Sequence, residues 1–147
     1  MKTVAVSGGF DPLHIGHVRY LEEARKIAGH LTVILNGDSF LVRKKGFAFM
    51  PQEQRAEILR ALRCVDEVVI FESEQDTVVP ALEALTPDIF AKGGDRGADN
   101  TPEAAFCEAH GIQIVYGVGG TDKPQSSQWL TSKIKETKHE TSDPGRP

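Results

Sequence analysis

Two histidines that bracket a glycine, His14, Gly16 and His17, are the residues whose spacing points most directly to chemistry. They follow a short apolar run and precede an amphipathic stretch, which puts them at a helix start after a buried strand. Backbone N–H groups and the positive end of the helix dipole favour an anion there, and Gly16 lets the backbone approach it. Imidazole N–H groups can donate to phosphate oxygens. The arrangement therefore predicts a site for a triphosphate.

Other phosphate-binding turns are missing from the sequence. Neither the dinucleotide pattern G-x-G-x-x-G nor the P-loop pattern G-x-x-x-x-G-K-[ST] occurs. A nicotinamide-binding turn and a Walker loop are therefore both unsupported, and the histidine pair is left as the main candidate.

The elements that must position this pair alternate along the chain. Apolar runs predict strands at residues 3–6, 31–35, 67–71, 88–91 and 112–116, and helical spacing predicts helices at 17–28, 52–62, 78–85, 102–110 and 126–136. Strands and helices that alternate in this way indicate right-handed βαβ units. The sequence therefore predicts an α/β fold: a single Rossmann-like, doubly wound, parallel five-stranded sheet with helices on both faces.

Four loops of this fold are candidate walls of one site. Ligands of such sheets bind at the carboxyl ends of the strands, where the strand order reverses. The loops at that edge are residues 7–16, 36–51, 92–101 and 117–127. A chain of 147 residues fits one domain, predicted at residues 1–136, and the loss of periodicity at residues 137–147 predicts a mobile tail.

The composition excludes several classes of protein. A formal net charge of −4 argues against a basic nucleic-acid-binding face. Two cysteines, Cys64 and Cys107, are too few for a disulfide scaffold. No apolar run approaches the roughly 20 residues of a membrane helix. We therefore expect a cytoplasmic protein that binds neither nucleic acid nor a membrane.

Residues 8–17, which fit G-x-F-D-x-x-H-x-G-H, resemble the signature of the cytidylyltransferase-like nucleotidyltransferases. The resemblance covers about residues 1–135. Residues 50–55, 65–69 and 87–95 are most similar to the adenylyltransferase domain that activates heptose 1-phosphate, and glycerol-3-phosphate cytidylyltransferase is also similar.

The resemblance implies one reaction, in which a phosphate oxygen of an acceptor attacks the α-phosphorus of a nucleoside triphosphate and pyrophosphate leaves. It implies that His14, His17 and Lys45 are catalytic and stabilise the charge of the transferring group. Lys45 is favoured over Lys44 because Lys45 and Gly46 match a Lys-Gly pair on a mobile basic loop of the family. Mg²⁺ is expected to arrive with the triphosphate, with no metal ligand from the chain.

The resemblance also implies a set of nucleotide-binding residues and one acceptor-binding residue. The nucleotide set is Gly9, Phe10, Asp11, Gly16, Lys44, Lys92, Gly94 with its neighbour Gly93, Asp95, Ser126 and Ser127, and the acceptor residue is Arg55. Structural roles stay open for several of them: a turn cap for Asp11, core packing for Phe10, an ion pair for Arg55, and helix caps for Ser126 and Ser127.

Residues 51–55 and 92–95 favour ATP with a sugar 1-phosphate such as heptose 1-phosphate. The chain also lacks the arginine of the R-T-E-G-I-S-T-type run that glycerol-phosphate cytidylyltransferases carry, which points the same way. CTP with glycerol 3-phosphate is the alternative substrate pair. A nucleotide-binding regulator that has lost the reaction is the alternative from another class, and the full set of phosphate donors favours an enzyme.

Members of the family commonly pair, so the resemblance implies a homodimer. Residues 64–68 resemble a stretch near the subunit interface of the cytidylyltransferases, and Asp66 is expected to face the partner.

Overall fold

The computed structural model describes residues 1–94 and 101–119, and a parallel sheet lies at its centre. In chain order the elements are β1 (Thr3–Gly8), α1 (Ile15–Ile27), β2 (His30–Asn36), α2 (Asp38–Lys45), α3 (Gln52–Arg60), β3 (Glu67–Phe71), α4 (Val79–Leu85), β4 (Ile89–Ala91), α5 (Pro102–Ala109) and β5 (Gln113–Val115). Within the described ranges, five strands lie in the order β3-β2-β1-β4-β5 with parallel pairing throughout. The predicted α/β, Rossmann-like sheet is confirmed.

Helices cover both faces of the sheet. Leu21 of α1 and Leu59 of α3 pack in one core cluster with Val4 and Val6 of β1. Leu82 of α4 and Cys107 of α5 pack in a second cluster with Ala5 of β1. Successive side chains of a strand point to opposite faces, so β1 contributes to both clusters. The continuous apolar run of β1 therefore fits a strand that is covered on both sides.

The strand order reverses between β1 and β4, which makes this the crevice where such sheets bind ligands. Helix α1 starts on one side of the crevice and the chain leaves β4 on the other. Tyr20 of α1 links the two sides, because its hydroxyl donates to the Ala91 carbonyl at 2.7 Å. Burial raises the pKa of Tyr20, so the phenol keeps the proton that it donates.

Helix α2 is the largest difference from the sequence prediction. It lies inside residues 36–51, which the sequence predicted as a loop. Gly46 ends the helix in the left-handed region at φ 89°, and its N–H donates to the Val42 carbonyl. Glycine adopts this conformation without strain, so Gly46 is a normal helix stop.

Helix α1 begins at Ile15, two residues before its predicted start. Gly16 and His17 therefore lie in the first turn, and His14 is the residue that caps it. The predicted helix at 126–136 and the predicted tail at 137–147 lie outside the described residues, so the proposed domain boundary stays a prediction.

Candidate active site

His14 and His17 form a reciprocal cap at the start of α1. The His14 Nδ1 atom accepts the N–H of Gly16 at 3.1 Å, and the His17 Nδ1 atom accepts the N–H of His14 at 3.2 Å. The two rings stack with their centroids 3.7 Å apart. The spacing is that of a capping box, with histidines in the places that Ser or Thr and Glu or Gln usually take. Two orphan N–H groups of the helix are thereby satisfied.

This cap fixes the proton position on both rings. A nitrogen that accepts a backbone N–H carries no hydrogen, so each neutral imidazole must carry its hydrogen on Nε2. Burial lowers the pKa of His14 below 6.5, which also favours the neutral ring. Helix α1 has no acidic residue in its first turn to compete with an anion. The two rings are therefore fixed as neutral Nε2–H donors at a helix N-terminus.

Phe10 packs under this pair. Its backbone is in the left-handed region at φ 49°, which is strained for a residue with a side chain. The residue is 5% exposed, and its ring meets the His17 ring edge-on at 4.9 Å. The core-packing alternative fits this position, whereas the predicted nucleotide-lining role would need an exposed ring.

Gly9 is needed for close packing in the same turn. A Cβ atom at Gly9 would lie 2.8 Å from Leu41 Cδ2, so the Leu41 side chain of α2 packs closely against the turn where residue 9 has no side chain. The Gly9 carbonyl accepts a hydrogen bond from Arg55 at 2.8 Å. Both contacts are within the chain, and the predicted nucleotide contact of Gly9 stays a prediction.

Lys45 and Lys44 point to different neighbours at the end of α2. The Lys45 Nζ atom lies 3.1 Å from Asp11 Oδ2, in the turn that leads into the histidine pair. The Lys44 Nζ atom lies 5.7 Å from the centre of the Phe40 ring, and Lys44 is exposed. Both lysines are in the last helical turn rather than on the expected mobile loop. Of the two, Lys45 is the one that contacts the β1–α1 turn.

Arg55 is buried, and this does not fit its predicted contact with an acceptor. The residue is 1% exposed. Its guanidinium donates to the carbonyls of Met50, Gly9 and Asn36 at 2.9, 2.8 and 2.7 Å. It also pairs with Asp38 at 2.7 Å. A guanidinium engaged on all these groups ties the ends of β1 and β2 to the segment before α3, which fits the ion-pair alternative, and the acceptor contact of Arg55 stays a prediction.

The β4 side of the crevice carries Lys92, Gly93 and Gly94. The Lys92 Nζ atom lies 3.5 Å from Thr101 Oγ1 and 5.9 Å from the centre of the Tyr116 ring. A Cβ atom at Gly94 would meet no atom of the described part of the chain within 4 Å. The Lys92 amine is thus held near the start of α5, across the crevice from the histidine pair.

Three predicted nucleotide-binding residues, Asp95, Ser126 and Ser127, lie outside the described residues. Among the residues that the structure describes, no group of three or more His, Cys, Asp or Glu side chains is arranged to hold a metal ion.

Glu72 and Asn36 lie at the same edge of the sheet and were not predicted from the sequence. Glu72 accepts hydrogen bonds from the N–H and the hydroxyl of Ser39 at 3.3 and 2.8 Å, which fixes the start of α2. A Cβ atom at Gly37 would lie 1.8 Å from Glu72 Oε1, so Gly37 is required for this contact. Asn36 is 8% exposed, and its buried Oδ1 has no hydrogen-bond partner among the described residues. A polar residue at the end of an apolar strand run was the available signal for Asn36.

Asp66 is bonded within its own chain. Its carboxylate accepts the N–H of Leu31 at 2.8 Å and pairs with Arg25 at 2.9 Å. These contacts account for the side chain without a partner subunit, and the homodimer stays a prediction. None of the helices in the described ranges is long and apolar enough to cross a membrane, and the cytoplasmic location stays a prediction.

A doubly wound sheet with a His-x-Gly-His helix start beside its crevice is an arrangement that suits nucleotide transfer. Residues 5–136 match the family described as "Cytidylyltransferase-like". The chain belongs to this family, and the predicted class of enzyme, a nucleotidyltransferase, is confirmed.

Several curated relatives are similar over most of the chain. The chain is 40% identical over 123 residues to the "Bifunctional protein HldE" of Citrifermentans bemidjiense. The matched region covers 81% of this chain and 25% of that protein. It is 46% identical over 123 residues to the protein of the same name from Magnetococcus marinus, with 79% and 25% covered. The chain therefore spans about a quarter of the length of these relatives.

Solved structures support the fold. The "lipopolysaccharide core biosynthesis protein" from Thermoplasma volcanium matches with a TM-score of 0.68 and 24% identity, over 83% of this chain and 99% of that one. A protein with unknown function from Archaeoglobus fulgidus matches with a TM-score of 0.58 and 20% identity, over 86% and 96%. At this level of identity the likeness concerns the fold alone.

Proposed function

We propose that the chain transfers a nucleoside monophosphate from a nucleoside triphosphate to a small phosphorylated acceptor. A phosphate oxygen of the acceptor forms a bond to the α-phosphorus. The bond from that phosphorus to the oxygen bridging to the β-phosphorus breaks, and its electron pair leaves with pyrophosphate. The protein contributes position and charge stabilisation, without a covalent intermediate.

The reciprocal cap of His14 and His17 is the observation that carries this proposal. The backbone holds both rings as neutral Nε2–H donors, so they need no reorientation when a triphosphate arrives. Fixed donors at the point where charge develops are the main source of stabilisation in such transfers. Their position beside the strand-order reversal supports the same site.

Lys45 and Lys92 supply positive charge on the two sides of the crevice. Lys45 lies at the β1–α1 turn and Lys92 follows β4. The nearby carboxylate of Asp11 is occupied by Lys45 and by two backbone N–H groups. The described residues therefore fit a Mg²⁺ ion that enters on the triphosphate and keeps water as its other ligands.

ATP and a sugar 1-phosphate are the substrates we propose, with CTP and glycerol 3-phosphate as the alternative pair. Residues 87–95 resemble the adenylyltransferase domain that activates heptose 1-phosphate. The relatives named "Bifunctional protein HldE", at about 40% identity, support the choice of ATP and a sugar 1-phosphate.

Variants that keep the helix cap provide the sharpest test of the histidine pair. Asn is a good N-cap residue and Gln can close a capping box, so His14→Asn and His17→Gln remove the ring donors while preserving the helix start. Each should lower the rate of pyrophosphate release about a hundredfold or more. His30→Gln is the control, because His30 lies at the start of β2, away from the site at the carboxyl ends of the strands, and this variant should leave the rate unchanged. Equal rates in all three variants would reject the proposed site.

Thermal shifts with MgATP and MgCTP test the choice of nucleotide. A ligand at about a hundred times its dissociation constant stabilises the folded state by roughly 2.7 kcal/mol. We expect the larger shift with ATP, followed by pyrophosphate release with heptose 1-phosphate. A larger shift with CTP, with turnover of glycerol 3-phosphate, would reverse the order. Binding without turnover of any phosphorylated acceptor would favour the regulator.

A further inference from the structure

The carboxylate of Asp11 lies in the β1–α1 turn and is withdrawn from solvent. The residue is 1% exposed. Its Oδ2 accepts the N–H of Phe49 at 2.6 Å, and its Oδ1 accepts the N–H of Met50 at 2.7 Å. A side chain enclosed in this way offers no surface to a nucleotide. Asp11 therefore acts through the groups that it holds, in contrast to the nucleotide contact expected from the sequence.

Lys45 is the cation that Asp11 holds. The Lys45 Nζ atom lies 3.1 Å from Asp11 Oδ2 and donates to the Asp11 carbonyl, also at 3.1 Å. An ammonium group has three N–H donors. One of them is donated to the Asp11 carbonyl, and the ammonium charge is paired with the Asp11 carboxylate, which leaves an N–H donor for another acceptor. The Lys45 side chain is 20% exposed, so that acceptor can come from a ligand.

An aromatic ring beside the end of α2 gives the Lys45 ammonium a second neighbour. Gly46 ends α2 directly after Lys45, and the Phe47 ring centre lies 5.0 Å from Nζ. A free lysine side chain loses roughly 2 kcal/mol of rotamer entropy when it is held in one conformation. Here the contacts with Asp11 and Phe47 restrict the side chain before any ligand binds.

We infer that Asp11 is a positioning residue that holds Lys45 with one N–H donor directed towards the triphosphate. The same carboxylate fastens residues 49 and 50 to the β1–α1 turn, so Lys45 and the histidine pair share one rigid frame. The inference rests on the proposed function, because it takes the triphosphate as the acceptor of the remaining Lys45 donor.

A purely structural role for Asp11 is the competing explanation. The Asp38–Arg55 pair provides the comparison, because it is another carboxylate–cation pair at the same edge of the sheet. The Arg55 side chain is 0% exposed, so this cation cannot reach a ligand. Loss of Asp38 should therefore affect the fold without affecting Lys45 specifically.

Acylation of lysine tests the contact without requiring catalysis. The probe is N-hydroxysuccinimidyl acetate at limiting concentration, and fragment-resolved mass spectrometry measures Lys45 and its neighbour Lys44 separately. In the unmodified chain Lys45 should react more slowly than the exposed Lys44. Asp11→Asn should raise the Lys45 rate about tenfold, since a charge-assisted contact is lost, with Lys44 unchanged. Asp38→Asn should change neither the Lys45 nor the Lys44 acylation rate.

The outcomes of this experiment are decisive for the inference. An unchanged Lys45 rate in Asp11→Asn would overturn it. A common rise at Lys44 and Lys45, or an equal rise in Asp38→Asn, would also overturn it, because the carboxylate would then only stabilise the fold. Saturating MgATP should protect Lys45 in the unmodified chain, and lack of protection would remove the triphosphate from the inference.

A double-mutant cycle tests the same coupling in turnover. Lys45→Met should lower the rate of pyrophosphate release about a hundredfold, and Asp11→Asn about tenfold. If Asp11 acts through Lys45, the double variant should be no slower than Lys45→Met alone. Asp38→Asn should instead act independently, so the Asp38→Asn/Lys45→Met double variant should lose the product of the two single rate losses. A thousandfold loss in the Asp11/Lys45 double variant would contradict the inference.

The two experiments separate failure of the inference from failure of the proposed function. If the unmodified chain releases no pyrophosphate with any nucleotide and acceptor, the proposed function fails. The acylation rates still decide whether Asp11 holds Lys45.

Discussion

The two sides of the β1–β4 crevice are built differently. On the β1 side, buried charged groups of Asp11 and Arg55 bind backbone atoms of three separate segments. On the β4 side, Lys92 Nζ lies 3.5 Å from Thr101 Oγ1 and 5.9 Å from the centre of the Tyr116 ring, and a Cβ atom at Gly94 would meet none of the described residues within 4 Å. Within residues 1–94 and 101–119, buried charges hold the first side through short polar contacts, whereas the second side has space beside Gly94.

This difference fits two tasks within one reaction. The triphosphate is common to the proposed substrates of the family, so the groups that bind it can be held rigidly. The base and the acceptor vary, and an open side can accommodate such variation without disturbing the rigid one. Stability and activity should therefore respond differently to substitutions on the two sides.

Arg55→Met should have the largest effect on stability. It leaves the carbonyls of Gly9, Asn36 and Met50 without their donor, and we expect a loss of about 3–5 kcal/mol in the free energy of unfolding. Urea denaturation measures this, with the exposed Arg63→Met as the control. A loss similar to that of the control would remove the contrast between the two sides.

A pair of glycine substitutions compares the sides directly. Gly9→Ala places a Cβ atom 2.8 Å from Leu41 Cδ2, and the shift of the buried Leu41 side chain should lower stability by about 1 kcal/mol. Gly94→Ala meets none of the residues in 1–94 and 101–119 within 4 Å and should stay within about 0.5 kcal/mol of the unmodified chain. Thermal unfolding of both variants measures the difference. Equal destabilisation would show that the β4 side is as tightly packed as the β1 side.

The pH dependence of the histidine cap sharpens the comparison in activity. Burial lowers the pKa of His14, so the unfolded chain binds a proton at a higher pH than the folded one. The contribution of the neutral His14 ring to the free energy of unfolding is thus fully present above pH 6.5. It is lost as the pH falls through the lower pKa of the folded state. Imidazole NMR shifts should show this, and the rate should fall in the same range. His14→Asn should lose this step in its stability profile.

Asn36→Leu should have the smallest effect. The buried Asn36 Oδ1 has no partner among the described residues, so an apolar side chain of similar size should change stability by less than about 1 kcal/mol. Thr32→Val, on the same face of β2, removes a hydrogen bond to Glu67 and serves as the control. A clearly larger loss for Asn36→Leu in chemical denaturation would reveal a polar contact on the β1 side.

The sheet could be predicted from the sequence because its strands are continuous apolar runs. Strand β3 was predicted with the bounds that it has, and the others within two residues at each end. Helix α2 was missed because two of its eight residues, Phe40 and Leu41, are buried and three basic residues follow in its last turn. Its position depends on contacts with Glu72, which is distant in sequence. Gly46, a typical helix stop, was the local signal that could have revealed it.

The histidine pair was found because residue types and spacing suffice to place it at a helix start. The burial of Arg55 and Asp11 and the partners of their charges were not predictable in the same way. A charged side chain near a site normally suggests ligand contact, and burial of a charge depends on partners from several segments. Asp11 meets residues 34 to 39 positions away, which no local pattern reports.

The reciprocal cap of His14 and His17 has an evolutionary consequence. The same two side chains start helix α1 and offer donors to the substrate, so selection for folding and selection for chemistry act on them together. A descendant that abandoned the reaction would still need hydrogen-bond acceptors at both positions. We expect such a lineage to replace these histidines by Asn, Asp, Ser or Gln and to avoid Leu or Val. Such replacements in a relative would then indicate that its activity has been lost while the helix start is kept.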